Sequence, residues 1–245
     1  MNWSAQRVLV TGGTRGIGRE LVLGLRQRGA QVWATGQSQT SVDAASAALP
    51  EVGWWVCDLA QPASRAALAS QAAAADISMV IHNAGVQQLR DFTDSGAAET
   101  ITLQAEVDIN LVAPVALARA MLPMLRSREG ATLVFVTSGL ALTPKQSSPV
   151  YCATKAGLRS FTKALRAQMR LHGWPVRVVE ALPPLVDTDM MLGRGSRKMP
   201  AVEAARQILD GLAAGKDEIY VGASALLKWL LRLSPGLAAA IVIKW

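Results

Sequence analysis

The sequence predicts a doubly wound, parallel α/β sheet in a single domain, and three observations carry that expectation. Short apolar runs rich in Val, Leu and Ile alternate along the chain with longer stretches of helical period. The first run leads directly into a glycine-rich turn that opens a helix. The composition is globular, with 51% apolar and 18% charged residues, and 245 residues can enclose a sizeable core.

In chain order, "RVLVT" (7–11), "QVWAT" (31–35), "GWWVC" (53–57), "MVIH" (79–82), "TLVFVT" (132–137), "VRVVEAL" (176–182) and "EIYVG" (218–222) read as seven strands. Runs this continuously apolar suit parallel strands covered by helices on both faces. Helices are expected near 17–28, 40–49, 62–75, 99–127, 150–172 and 202–214. The Ala-rich stretch 66–75 reads as helix because Ala is the best helix former. No Pro/Gly/Ser-rich linker divides the chain. Residues 1–222 are therefore expected to form one domain, with an apolar, basic tail at 223–245 packed on it or at an interface.

In "TGGTRGIG", Gly12, Gly16 and Gly18 follow the first strand. Glycine there allows a tight turn and close approach of a pyrophosphate, which the helix N-terminus then attracts. The spacing is G-x3-G-x-G rather than G-x-G-x-x-G, and a glycine turn without a ligand is the plainer alternative. "HNAG" (82–85) ends the fourth strand, at the edge where open α/β sheets bind ligands. Asp58, in "CDL", is also read as a cap for the next helix.

The chain has only two tyrosines, and Tyr151 stands four residues before Lys155. On a helix that spacing puts both side chains on one face. A neighbouring ammonium favours phenolate and lowers a tyrosine pKa, and a phenol so tuned exchanges protons with alcohol or carbonyl oxygens. A plain exposed helix face is the alternative. Ser138, just past the fifth strand, adds a hydroxyl that can hold the substrate oxygen.

Two cysteines (Cys57, Cys152) and two histidines (His82, His172) show no metal-ligand spacing, so no metal site is expected. The net charge is +7, but the basic residues are scattered and no aromatic-basic motif accompanies them, which argues against nucleic-acid binding. Strand pattern begins at Arg7 with no leader ahead of it, and no uncharged apolar run reaches the about 18 residues of a membrane span. A cytoplasmic setting is expected.

Together, "TGGTRGIG", "HNAG", Asn110 in "DINLVAP", Ser138 in "VTSG" and "YCATK" resemble the short-chain dehydrogenase/reductase family, in order and at its spacings, from 7 to about 222. The resemblance implies a Rossmann-type oxidoreductase using NADP(H), with NAD(H) as the alternative, on a small-molecule carbonyl or alcohol. It implies Tyr151 as general acid/base and Lys155 on the nicotinamide ribose. Ser138 would orient the substrate, and Asn110 would support a water-mediated proton path to Lys155. Cofactor contacts are implied for Gly12, Thr14, Arg15, Gly16, Ile17, Gly18 and Gln37. They are implied also for Asp58, Leu59, Asn83, Ala84 and Gly85, and for Pro183, Val186 and Thr188. A homodimer or homotetramer through helices 99–127 and 150–172 is implied as well. "TSGLALTP", "PVYCATKAGL" and "LPPLVDTDM" look like a smaller bacterial branch, the DltE-like oxidoreductases.

Several readings belong to this chain's own residues. Pro114 lacks an N–H, so the Asn110 carbonyl loses its helical donor and can hold a water; a simple proline kink is the alternative. Pro184 stands where the family usually has glycine, which stiffens the loop before Thr188. The tip of the second strand, Gly36–Gln37–Ser38, carries no acid to repel a 2′-phosphate, and Arg15 is placed to pair with one. Gln37 and Ser38 are read as donors to that phosphate. Residues 189–200 are expected to form a lid with Met190, Met191 and Leu192 as an apolar wall. Its Arg194, Arg197 and Lys198 would meet an anionic substrate or simply be solvated. Two rival functions stand beside the enzyme: a cofactor-binding regulator without turnover, and a protein attached peripherally to membranes by a basic apolar helix at 225–245.

Overall fold

A computed structural model describes residues 1–94, 99–188 and 198–243. The chain runs through β1 (Arg7–Val10), α1 (Gly16–Gln27), β2 (Gln31–Gly36), α2 (Gln39–Ala48), β3 (Gly53–Val56), α3 (Pro62–Ala74) and β4 (Met79–His82). There follow α4 (Leu103–Val107), a π turn (Asp108–Val112), α5 (Ala113–Leu125), β5 (Thr132–Val136), a 3₁₀ turn (Gly139–Ala141), α6 (Pro149–Leu171) and β6 (Arg177–Leu182). The last part holds β7 (Val186–Asp187), β8 (Met199–Pro200), α7 (Ala201–Ala213), β9 (Glu218–Tyr220), α8 (Ala223–Leu233) and α9 (Pro235–Val242).

Seven strands form one sheet in the order β3-β2-β1-β4-β5-β6-β9. Every neighbouring pair in it is parallel. The chain winds outward from β1 to β3, then returns to place β4 on the other side of β1. That reversal opens a crevice at the carboxyl ends of β1 and β4, where this class of sheet binds ligands.

The two-residue period of a strand fills both faces. Val8 and Val10 of β1 join Leu21, Leu25, Ile208 and Leu209 in the layer under α1 and α7. Leu9 points the other way, into a layer with Leu117, Met121, Leu133 and Phe135 under α3, α5 and α6. Full burial of side chains of this size contributes roughly 1.5–3 kcal/mol each. The expected parallel fold is present, single-domain, with helices on both faces.

Four expected elements differ. The helix foreseen at 99–127 begins at Leu103, capped by the Thr102 hydroxyl. Upstream, Glu99 is drawn into an ion pair with the buried Arg90 at 2.7 Å. The helix is also interrupted: the Ala113 N–H reaches the Asp108 carbonyl five residues back. Pro114 explains this, because its ring clashes with the carbonyl four residues earlier and the ladder must widen there. The seventh strand stops at Tyr220, and Gly222, at φ +50°, turns the chain into α8. The tail is two helices rather than one, divided at Ser234–Pro235, since proline starts a helix more readily than it continues one. Of the lid, Met199–Pro200 forms β8 against Val186–Asp187. Met190, Met191, Leu192, Arg194 and Arg197 lie outside the described residues.

One buried ion pair ties α6 to the sheet. Glu180 in β6 is fully buried and pairs with Arg159 of α6. The Thr137 hydroxyl donates to its other oxygen at 2.7 Å. Arg159 also donates to the Tyr220 hydroxyl at 3.1 Å, which donates to Glu218 at 2.7 Å. Arg159→Met should leave Glu180 charged and unpaired in the sheet, costing about 3–5 kcal/mol in urea unfolding. Arg159→Met/Glu180→Leu should recover most of that loss, and equal losses in the single and double variants would show that the pair does not act as a unit.

Candidate active site

The loop after β1 is held from its far side by the turn after β4. The Thr11 hydroxyl accepts the backbone N–H groups of Asn83 (3.1 Å) and Ala84 (3.2 Å). In return the Asn83 side-chain amide donates to the carbonyls of Thr11 (3.1 Å) and Gly12 (3.2 Å). Gly12 sits at φ +67°, and a Cβ on it would meet Ala84 at 3.0 Å. A Cβ on Gly18 would lie 2.0 Å from the Gly12 carbonyl oxygen, so the loop closes only with glycine there. Beyond the loop, α1 starts at Gly16 with no acidic residue in its first turn, leaving its positive end exposed to an anion.

At β5 and α6 the expected chemistry converges. Ser138 follows β5, and its Oγ accepts the Leu140 N–H at 3.1 Å. Tyr151 and Lys155 lie on the first turns of α6, the Lys155 Nζ 5.7 Å from the Tyr151 ring centre. Lys155 is buried and donates to the Val136 carbonyl at 3.0 Å, at the end of β5. Burial lowers its pKa to about 8. Burial also dominates at Tyr151, pushing its phenol up to about 12 although the Ser138 hydroxyl pulls the other way. The phenol is thus raised by desolvation where the Lys155 spacing suggested a lowering.

Asn110 stands at the centre of the π turn, fully buried behind this pair. Its Oδ1 accepts the Val86 N–H and its Nδ2 donates to the Val86 carbonyl, both at 2.8 Å. Nδ2 also reaches the Thr154 hydroxyl at 3.3 Å. A Cβ on Gly85 would be 3.2 Å from Asn110 Oδ1 and 3.3 Å from Lys155 Nζ, which fixes all three at one point. The proline kink, the alternative to a water on the Asn110 carbonyl, takes the form of a π turn that aims Asn110 at the strand exit.

These groups face a cleft of about 1270 Å³. Every expected cofactor residue lines it: Gly12, Thr14, Arg15, Gly16, Ile17, Gly18, Gln37, Asp58, Leu59, Asn83, Ala84, Gly85, Tyr151, Lys155, Pro183, Val186 and Thr188. Ser138 lines it too, whereas Asn110 supports it from behind. Pro184 is accommodated: the Pro183 carbonyl accepts the Gly139 N–H at 2.8 Å. Thr188 packs where a Gly16 Cβ would be 3.0 Å away, at the mouth of α1. Two expectations need correction. Asp58 caps its own turn, accepting the Ala60 N–H at 3.1 Å, while α3 is led by Gln61. The Ser38 hydroxyl accepts the Ser41 N–H in the capping box of α2, and Ser38 is not among the residues lining the cleft, so the site itself does not support its reading as a phosphate donor.

Some of the site escaped the sequence reading. Lys145 is buried and lines the cleft, as do Leu140, Ser224 and Leu227. No short pattern reports which loop side chain turns inward, and α8 returns from beyond the last strand. The pair Arg90–Glu106, buried on both sides, was missed as well. Gln88 N–H donates to the same Glu106 at 3.2 Å, so the pair fixes the chain leaving β4.

The family model for short chain dehydrogenases matches residues 6–198. The chain belongs to the short-chain dehydrogenase/reductase family. This oxidoreductase family is also that of its similar proteins. The uncharacterized oxidoreductase DltE of Bacillus subtilis is 37% identical over 227 residues, 89% of each protein. L-xylulose reductase of Mesocricetus auratus is 32% identical over 216 residues, 87% of this chain and 83% of the relative. A short chain dehydrogenase from Burkholderia cenocepacia, solved in complex with NADP, superposes with a TM-score of 0.88 at 29% identity, covering 100% of both chains.

His82 departs from its polar surroundings. It is stacked on Phe135 at 4.8 Å, and neither ring nitrogen has a hydrogen-bond partner among the described residues. Burial lowers its pKa to about 3, so it stays neutral in the fold. As pH falls through 6.5 the unfolded chain takes up a proton that the folded chain refuses until about pH 3. Stability at this site therefore decreases as pH falls across that window, by up to about 1.4 kcal/mol per unit. His82→Phe should shrink the loss of unfolding free energy between pH 7 and pH 4.5 by about 2 kcal/mol. An unchanged acid limb in urea titrations would contradict this.

Proposed function

We propose that the protein is an NADP(H)-dependent oxidoreductase that interconverts a carbonyl and an alcohol. The observation that carries the reading is the convergence of Ser138, Tyr151 and Lys155 on one wall of the cleft, with Asn110 locked behind them. The glycine loop fits a dinucleotide, because Gly12 and Gly18 leave no room for side chains and α1 presents an acid-free N-terminus. The Burkholderia relative with NADP bound supports the same cofactor. When bound, the nicotinamide supplies or accepts the hydride.

The chain's own residues supply the proton and the orientation. A phenol raised by burial is protonated at neutral pH, the form that donates to a carbonyl oxygen. Ser138 Oγ is next to the phenol and can bind the same oxygen, fixing its distance from Tyr151. Lys155, at about 8, is mostly ammonium at pH 7 and puts a positive charge 5.7 Å from the Tyr151 ring centre. Asn110 acts through Lys155 and the strand exit rather than on substrate. The substrate end of the cleft is largely apolar, with Val86, Leu89, Leu140, Leu185 and Leu227.

A regulator that binds the cofactor without turnover is the other reading, favoured by no residue missing from the set. A cytoplasmic setting is supported by free, buried Cys57 and Cys152. For assembly, Leu103 and Val112 are exposed on the α4–α5 helix at 47% and 37%, and a two-fold interface through this helix and α6 would cover them. Light scattering should then give two or four times 25.9 kDa, and a 25.9 kDa particle at micromolar concentration would reject the assembly.

Tyr151→Phe should lower kcat with NADPH and a panel of ketones, aldehydes and quinones by about 10²–10⁴-fold. NADPH binding, followed by its fluorescence, should persist. Turnover like that of the wild type would sink the acid role. Cofactor choice follows from the strand-two tip, where Gly36 and Gln37 line the cleft with Arg15 and no acid stands at positions 36–38. NADPH should bind about tenfold more tightly than NADH, the worth of one partly exposed charge-assisted contact of about 1.4 kcal/mol. Arg15→Ala should lose most of that margin; equal or tighter NADH binding by the wild type would overturn the assignment.

A further inference from the structure

The C-terminal helices fold back over the lip of the cleft. On α8, Ser224 and Leu227 are buried, and both line the cleft. On α9, Ala238 and Val242 are fully buried against Leu140, Leu142, Leu227, Leu230 and Leu231. The Gln146 N–H donates to the Ile243 carbonyl at 3.0 Å, which ties the hairpin to the loop before Tyr151. The hairpin is therefore a docked part of the fold with a defined inside.

Its outside is apolar. Leu226, Trp229 and Leu233 are 74%, 60% and 80% exposed. Their i, i+3, i+7 spacing puts them on one stripe of α8. Leu237 and Ile241 of α9 are exposed as well. Large apolar side chains grouped this way on a soluble surface mark a contact site. Lys228 and Arg232, four residues apart and exposed, stand along one edge of the stripe. Lys228 lies 4.2 Å from the Tyr220 ring and Arg232 5.9 Å from the Trp229 ring, so both charges are held at the rim. From Ile219 to Trp245 the sequence contains no Asp or Glu.

We propose that the α8–α9 hairpin docks the protein on an anionic phospholipid surface. Leu226, Trp229 and Leu233 enter the interfacial layer, and Lys228 and Arg232 meet the headgroup phosphates. The chemistry decides between occupants. A second copy of this chain would bring more cations to a face that has no anion to meet them. An anionic leaflet offers negative charge and apolar depth together. Because the other side of α8 lines the cleft through Leu227, docking brings the cleft mouth to the bilayer. Resting on the carbonyl–alcohol reading, this makes the substrate an apolar carbonyl compound drawn from the leaflet.

The test is co-sedimentation of the full-length protein with vesicles of phosphatidylglycerol and phosphatidylcholine, or of phosphatidylcholine alone, at 0.1 M and 0.5 M salt. The expected result is binding to the anionic vesicles, at least tenfold weaker on phosphatidylcholine and weakened likewise by high salt. Trp229→Ser/Leu233→Glu changes only exposed side chains and should lose at least tenfold in partition, with circular dichroism and NADPH binding retained. Lack of sedimentation by the wild type, or equal sedimentation by the variant, overturns the proposal. So does a light-scattering mass that halves in the variant, which would assign the face to a second copy. Binding is read without turnover, so failure here is distinct from failure of the enzymatic reading.

Discussion

The turn that leaves β4 is fastened from both sides, and the geometry of the whole cleft follows from that. On one side four hydrogen bonds between Thr11–Gly12 and Asn83–Ala84 hold the glycine loop against the turn after β4. On the other, Asn110 grips both backbone groups of Val86 and touches Thr154, one residue before Lys155. Residues 83–86 thus join the half of the fold suited to phosphates to the half that carries Tyr151. Buried polar groups of this kind are costly when unpaired, and each side therefore enforces the position of the other.

Charge burial is arranged around that join. Arg90–Glu106 anchors the chain after β4, and Arg159–Glu180 anchors α6 one turn beyond Lys155. Neither pair is a strong stabiliser in itself, since desolvation offsets most of the attraction. Their effect is positional, because a helix or loop that moved would strand a charge in the core. The π turn belongs to the same design: Pro114 forbids a regular helix at the point where Asn110 must face the strand exit.

The seven strands and most helices were legible because parallel strands buried on both faces leave uninterrupted apolar runs, as in "TLVFVT". The cleft-lining residues of the glycine loop were legible because glycines at fixed offsets after a strand have few other uses, as Gly12 and Gly18 illustrate. What was not legible depended on long-range competition. Nothing near Glu99 announces that Arg90 will draw it out of the helix. Nothing near Tyr151 announces that it is half-buried in the cleft wall, where desolvation raises the phenol instead of lowering it as the Lys155 spacing suggested. Ser38 was read as a ligand donor and is a helix cap, two roles that local sequence does not separate. The tail reads as one helix although Pro235 stands where it divides, and the inward face of α8, with Leu227 in the cleft wall, is set by packing on Leu140 and Leu142.

The account stands or falls on hydride passing between a nicotinamide and a carbonyl carbon in this cleft. The direct measurement is mass analysis of the alcohol formed when wild-type protein meets carbonyl compounds and NADPH deuterated at the transferred position. One deuterium on the former carbonyl carbon is the predicted result. Tight NADPH binding with no deuterium transferred to any carbonyl offered would contradict it and leave a cofactor-binding regulator in its place.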